Sequence, residues 1–552
     1  MKPASLDTFR QRLGNAGSGW WFPLLWAPYA LLVHRFWFIA DDAFISFRYA
    51  KNLAQGRGLR YNLGEPVPVE GYSNFLWTVL CAGVERLHAD VTRWPLLVSF
   101  LCGSGLLLLF FLTLRRRLGL DLPVAILATL LLGCSPAYAV WSTSGLETMA
   151  FALLLFAGFQ QLILRPQGIA PFSAGVLCLA LALVRVEGIF WVVALMALAA
   201  LSRRSAGQKF LRPLAVAAGL VLVGYAAYWS WRYSYYRLPF ANSAYVKAAF
   251  SLGLCRRGVH YVLWNYLTLL TPLLALPGLV SALRPGRRPL GLAAGAMAAI
   301  AVAYGVAVGG DFMTMGRLLV PVLPFHFMLA GWWLQDLRGA TPRGRVVAAA
   351  VGALALLAGL LAGGNVPVAP KGLLDRFYFR YGIKRHHTEY EYWLFMTRNV
   401  AYWTREGKAL AAYAPADASV VLGAIGAAGY YSNLFVYDRC GLVTRKVAGL
   451  PLTDLSTPGH DKCQPPEFFL PEKPDLLFTF SAAGDSLEKH AADLKAKDYS
   501  DRYVADFVPL PEPGGKQVQY LFVCRRLRPD ETAASAWAEV DRRLQALDAR
   551  GD

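Results

Sequence analysis

Long apolar runs punctuated by clusters of arginine recur along the first two thirds of the chain, and they limit what it can become. Residues 94–114, 122–141, 149–164, 214–231, 260–283, 290–308, 318–334 and 346–361 are such runs. A helix that crosses a bilayer needs about 20 mostly apolar residues, because inside lipid each backbone polar group has to be satisfied within its own segment. Only 16% of the 552 residues are charged and 56% are hydrophobic, whereas an average soluble chain is about 25% charged. The chain is read as a polytopic α-helical membrane protein. Its net charge of +19 would suggest a nucleic-acid partner in a soluble protein. Here the basic residues sit between apolar runs, where the positive-inside rule accounts for them, and no nucleic-acid motif accompanies them.

Orientation follows from the same rule. Lys2, Arg10 and Arg12 place the N-terminus in the cytoplasm. The first run, residues 20–40, is too long for a signal-peptide core and lacks a clear small-residue cleavage site, so it reads as a retained first span. Arg115–Arg117, Arg165, the 203–212 cluster, Arg284, Arg287, Arg288, Arg338, Arg343 and Arg345 then all fall on the cytoplasmic side. Residues 172–201 are too long for one span and carry Arg185-Val186-Glu187-Gly188 at their middle, so they split into two short spans. Residues 75–84 are short for a span and lead into Glu85, Arg86, His88 and Asp90; they read as an interfacial helix. The total is roughly eleven spans of the usual length, an odd number that puts the C-terminus outside.

From about residue 364 the long apolar runs stop, which divides the chain into a transmembrane part (1–363, first outer loop 41–92) and a soluble part (364–552). Residues 419–422, 434–437, 475–480 and 519–523 read as short strands, and 486–497 and 534–547 as helices, so this part is expected to be an α/β domain on the outer side. Gly423, Gly426 and Gly429 have G-x-x-G-x-x-G spacing rather than the dinucleotide pattern, and read as a packed turn into a helix. None of the eight cysteines has zinc-site spacing. If residues 364–552 lie outside the cytoplasm, Cys440 and Cys463 are candidates for a disulfide.

The first apolar run delivers Asp41 and Asp42 to the membrane boundary. Carboxylates at that depth mark either a polar stop or a functional site. They open an ordered stretch: Asp41-Asp42-Ala43-Phe44-Ile45-Ser46-Phe47-Arg48-Tyr49-Ala50-Lys51-Asn52, then Gly56-Arg57-Gly58-Leu59, then Val69-Glu70-Gly71-Tyr72-Ser73-Asn74-Phe75-Leu76-Trp77. This stretch resembles the first outer loop of the GT-C membrane glycosyltransferases, nearest to the branch of the mycobacterial terminal arabinofuranosyltransferase. Further stretches are similar to that family: Ser144-Gly145-Leu146-Glu147-Thr148, the Arg185–Gly188 break, Tyr235-Tyr236 through Lys247, Gly309-Gly310-Asp311-Phe312-Met313 with Gly316-Arg317, and Tyr430 through Leu442.

The resemblance implies an inverting glycosyltransferase. It would move a sugar, arabinofuranose first among them, from a polyprenyl-phosphate donor to an envelope glycan, glycolipid or surface protein at the outer face of the inner membrane. It places the general base on the first outer loop, at Asp41 or Asp42, with Asp41 preferred. Cations suit the leaving phosphate, and Arg48, Lys247 and Arg317 are the candidates. Glu70, Glu147 and Asp311 are candidates for sugar hydroxyls. Several have a plainer alternative: Lys247 as a snorkelling interface residue and Asp311 with Arg317 as a local ion pair. Arg185 with Glu187 reads equally as a paired intramembrane charge. Asp41 and Asp42 are also hard-metal ligands in type, although nothing in the sequence requires a divalent cation. The rival from another class is a transporter or flippase of lipid-linked sugars, which calls for mid-bilayer ionisable groups and repeat-related halves.

Overall fold

The computed structural model describes residues 22–165, 168–202, 208–247, 251–510 and 519–548. Lys2, Arg10, Arg12, Trp20, Trp21, Arg203 and Arg204 lie outside the described residues. Among the described residues five helices are long and apolar enough to cross a membrane: Trp94–Arg117, Phe210–Tyr236, Arg288–Ala307, Thr314–Ala340 and Gly344–Ala362. Shorter apolar helices cover Leu122–Gly133, Thr148–Leu164, Pro171–Val184 and Gly188–Ser202. The expected split of 172–201 falls at Arg185–Glu187, where buried charges interrupt the run. The expected single span 260–283 differs. A helix Leu252–Leu269 meets Thr271–Ala282 at a 91° bend. Leu270, at φ 52°, turns the chain there, and Pro272 just beyond cannot continue a straight helix.

The bundle has two chemically distinct ends. At one, Asp336 pairs with Arg284 and Arg287 (both 2.9 Å), Asp121 pairs with Arg338 (2.6 Å), and Arg115–Arg117 end their helix nearby in sequence. Thr314–Ala340 runs from the other end to this one and is mostly buried. Phe210–Tyr236 and Gly344–Ala362 are mostly exposed and present Leu222, Val223, Val346 and Leu354 outward, as lipid-facing helices do.

At the other end the expected loop 41–92 is built around two packed helices, Asp41–Ala54 and Phe75–Arg86. Asp41 and Asp42 occupy the first helical turn, where the helix dipole favours negative charge. Residues 43–50 are all buried because Phe75–Arg86 packs on one side and the C-terminal part on another.

The C-terminal part is a five-stranded sheet in the order β2-β1-β3-β5-β4: β1 Ser419–Leu422, β2 Phe435–Asp438, β3 Leu476–Ala483, β4 Tyr503–Leu510 and β5 Gln519–Arg526. β1 pairs in parallel with β2 and β3, and β5 is antiparallel to β3 and β4. Helix Glu389–Tyr413 packs against it, and helices Leu487–Lys495 and Ala533–Asp548 lie beside β4. β4 is absent from the sequence-level expectation. It contains Pro509, which a sheet accepts at an edge strand, its position here. The opposite edge is closed by the Asn62 side chain, which donates to the Val436 carbonyl and accepts from the Val436 amide (both 2.9 Å). That cap blunts an edge that could otherwise pair with another chain.

Candidate active site

Adjacent residues on a helix point about 100° apart, and the two leading carboxylates face different partners. Asp41 turns toward the C-terminal part. Its Oδ1 accepts from the Ala427 amide (2.8 Å) and its Oδ2 from the Gly426 amide (3.2 Å), at the start of helix Ala427–Ser432. Gly426 is needed for this approach, since a Cβ there would collide with the Asp41 backbone carbonyl. Burial pushes the Asp41 carboxyl up to about 7, against the pull of the Ala427 amide.

Asp42 faces a different group: Arg317, Lys247, Asp311 and His460 all act on its charge. Burial raises its carboxyl above the ordinary aspartate value, while Arg317 and Lys247 pull it down. Separate stretches of chain therefore converge on Asp42.

Arg317 is delivered by a tight turn in which Met315 and Gly316 both take left-handed backbone angles, φ 54° and 61°. The turn closes Arg317 Nε onto Asp311 Oδ2 at 2.7 Å. Burial would raise Asp311, but Arg317 and Lys247 outweigh it and hold the carboxyl below its usual value. Beneath the turn lies a second ion pair, Arg380 with Glu389 (2.9 Å), both essentially inaccessible. Glu389 also accepts from the Met315 amide (2.5 Å), the Thr314 hydroxyl (2.9 Å) and Trp264 Nε1 (2.5 Å). Arg380 donates to the Phe312 and Met313 carbonyls (2.8 and 3.1 Å). Nothing in the pattern around Arg380 and Glu389 marks them from sequence, because they read as ordinary charges after the last apolar run.

Lys247 ends the short helix Asn242–Lys247 and is exposed. That helix is tied down by Asn242, whose side chain donates to the Gly441 and Leu442 carbonyls (2.7 and 2.9 Å). Among the described residues Lys247 has no hydrogen bond or ion pair, so its ammonium is available to an anion.

The remaining candidates are held in other contacts. Glu147 is buried beside this group, accepting from Asn74 Nδ2 (2.7 Å) and pairing with Arg185 (3.2 Å), which also holds Glu187 (2.6 Å). Glu70 pairs with buried Arg232 (2.6 Å), and burial pushes its carboxyl up to about 7. Arg48 points into the C-terminal part. It donates to the carbonyls of Tyr61 (2.9 Å), Gly429 (2.7 Å) and Leu434 (2.5 Å), with its guanidinium 4.1 Å from the Tyr61 ring centre. Its donors are spent on backbone, which makes it a clamp between two parts of the chain rather than an open cation. As for a divalent cation, both Asp41 oxygens are engaged by amides, so Asp41 and Asp42 do not form a chelating pair. Among the described residues no three His, Cys, Asp or Glu side chains cluster as ligands. Cys440 and Cys463 form the disulfide whose pairing the sequence raised.

Residues 385–526 match a family model described as a domain of unknown function, DUF8728. No curated protein matches the sequence. The fold is similar to that of ArnT from Cupriavidus metallidurans. The structure of ArnT bound to undecaprenyl phosphate aligns with TM-score 0.53 at 15% identity, covering 91% of this chain and 98% of that one. The apo structure aligns with TM-score 0.54 at 16% identity, covering 92% and 98%. The chain shares the ArnT fold along nearly its whole length, at an identity too low to carry function across.

Proposed function

We propose that this chain is an inverting membrane glycosyltransferase that takes a sugar from a polyprenyl-phosphate donor. The reading is carried by the Arg317–Asp311 ion pair (2.7 Å) together with Lys247, which is unpaired among the described residues; Arg317 and Lys247 both pull the Asp42 carboxyl down. The ArnT likeness supports it, since one of those structures holds undecaprenyl phosphate.

Asp42 is the general base in this reading, in place of the Asp41 favoured by sequence. Both carboxyls are raised, which suits either to accept a proton, but both oxygens of Asp41 are held by backbone amides, whereas among the described residues no hydrogen bond holds those of Asp42. The acceptor hydroxyl gives its proton to Asp42 as its oxygen bonds to the anomeric carbon. The bond from that carbon to the phosphate oxygen breaks on the opposite face, and its electron pair leaves with the phosphate. Lys247 and Arg317 stabilise the charge that develops there. One displacement inverts the anomeric centre. Asp311 orients Arg317, and Glu147 holds Asn74 and Arg185 in position beside them.

The site end of the bundle is the extracytoplasmic one in this reading. The arginine-rich opposite end fits the cytoplasmic side, and the Cys440–Cys463 disulfide suits an oxidising compartment. A count of eleven spans fits the same orientation. Arabinofuranose remains the leading donor sugar by sequence resemblance, and the acceptor is an envelope glycan, glycolipid or surface protein. A transporter of lipid-linked sugars would need ionisable groups along the middle of the bundle; the ion pairs here gather toward its two ends. The test is transfer from synthetic decaprenyl-phosphoryl arabinose by the purified chain, beside a panel of other decaprenyl-phosphate sugars. Turnover of one donor with inversion is expected. Failure with every lipid-phosphate sugar would refute the reading.

A further inference from the structure

His460 belongs to the C-terminal part, yet it acts on the charge of Asp42. The loop that carries it is fixed at each step. Thr457 Oγ1 accepts from the Gly382 amide (3.1 Å) and its carbonyl accepts from the His460 amide (2.8 Å). Asp461 makes a two-pronged ion pair with buried Arg257 (2.6 and 2.8 Å) and also accepts from the Ser456 amide (2.9 Å). Lys462 donates to the Tyr245 and Ala448 carbonyls (both 2.9 Å). Cys463 is bonded to Cys440.

So many anchors on one short loop serve to hold what lies between them. Gly459 takes φ +82° and brings the loop backbone against Lys247, where a Cβ would stand 3.6 Å from Lys247 Cε. The His460 ring stands edge-on to Phe312, centroids 4.7 Å apart, next to Asp311. Its Nδ1 lies 3.4 Å from the Pro458 carbonyl, which can only accept. Nε2 has no partner among the described residues. Asp42 feels the charge of His460 together with those of Arg317, Lys247 and Asp311, and Lys247 lies against the neighbouring Gly459.

We propose that His460 is a substrate-contacting residue which, with Lys247, binds the phosphate of the lipid carrier, so that the C-terminal part completes the donor site. As the imidazolium it donates from Nε2 to a phosphate oxygen while Nδ1 stays on Pro458. The inference rests on the lipid-phosphate reading above and adds a residue from a distant segment to it.

The test measures binding of decaprenyl phosphate, and separately of uncharged decaprenol, to the full-length protein in detergent micelles. The variants are His460→Ala, His460→Gln and Lys247→Ala, with thermal midpoints recorded for each. His460→Ala is expected to weaken the phosphate at least about tenfold, as expected for loss of a charge-assisted hydrogen bond, and to leave decaprenol unchanged. His460→Gln, which keeps a donor without the charge, should fall between. Unchanged phosphate affinity in His460→Ala, with Lys247→Ala weakened, would overturn the role of His460 alone. Equal losses for phosphate and alcohol would also overturn it, because they would mark a structural role. A wild-type protein with no preference for the phosphate would sink the lipid-phosphate reading as well.

Discussion

Replacing Arg380 by methionine isolates the pair beneath the Arg317 turn. The change removes the partner of a fully buried carboxylate and leaves Glu389 with the Met315 amide, Thr314 and Trp264. Breaking a buried pair from one side costs about 3–5 kcal/mol. Unfolding entropy of about 2.1 cal/mol/K per residue, over 552 residues, makes that roughly 3–4 °C in Tm if the whole chain unfolds together. The shift is larger if the C-terminal part melts alone. The double variant R380M/E389Q removes the stranded charge and keeps an acceptor for Met315, so it should recover more than half of the loss. Charge gives the pH dependence. Burial would raise Glu389, but Arg380 holds it below its ordinary 4.5. The pair's contribution is therefore present above that value and is lost as pH falls through the folded pKa. Thermal unfolding of the three proteins at neutral and acidic pH measures this. An R380M midpoint within about 1 °C of wild type, well short of the shift expected for a broken buried pair, would refute the reasoning. So would a double variant that melts below the single one.

Two other outcomes come from the placement of the charges. Arg48→Lys cannot reach all three carbonyls that Arg48 serves, so it should lower Tm while leaving affinity for decaprenyl phosphate within about threefold, under 1 kcal/mol. A much larger loss of affinity with Tm intact would return Arg48 to the phosphate site. The acid limb of the kcat/KM profile should lie above the ordinary aspartate range, because burial raises Asp42. Lys247→Ala should move that limb to higher pH, since Lys247 pulls Asp42 down. A limb that stays in place would disconnect the two residues.

The features legible in the sequence are the local ones. The split at Arg185 can be read because two charges in the middle of an apolar run admit few other structures. β1, β2, β3 and β5 can be read because their β-branched and aromatic residues sit between turn residues, whereas in β4 Asp506 and Pro509 obscure the strand. The convergence of Lys247, Asp311 and Arg317 near one end of the bundle was within reach, since alternation of spans assigns each connection to a side. The difference between Asp41 and Asp42 was not. It depends on Gly426, 385 residues away, whose backbone meets only one of two adjacent carboxylates. The same holds for Arg48, whose targets are backbone carbonyls with no side-chain signature, and for His460, which resembles any surface histidine until the loop around it is seen to be anchored.

Single-residue turnover decides the central claim most directly. Transfer from a lipid-phosphate sugar by Asp42→Asn and Asp41→Asn should be compared at equal folded concentration. A loss of about 10²–10⁴-fold is predicted for Asp42→Asn, the usual range for removing a general base, with measurable turnover remaining in Asp41→Asn. Near-normal turnover in Asp42→Asn alongside an inactive Asp41→Asn would contradict it.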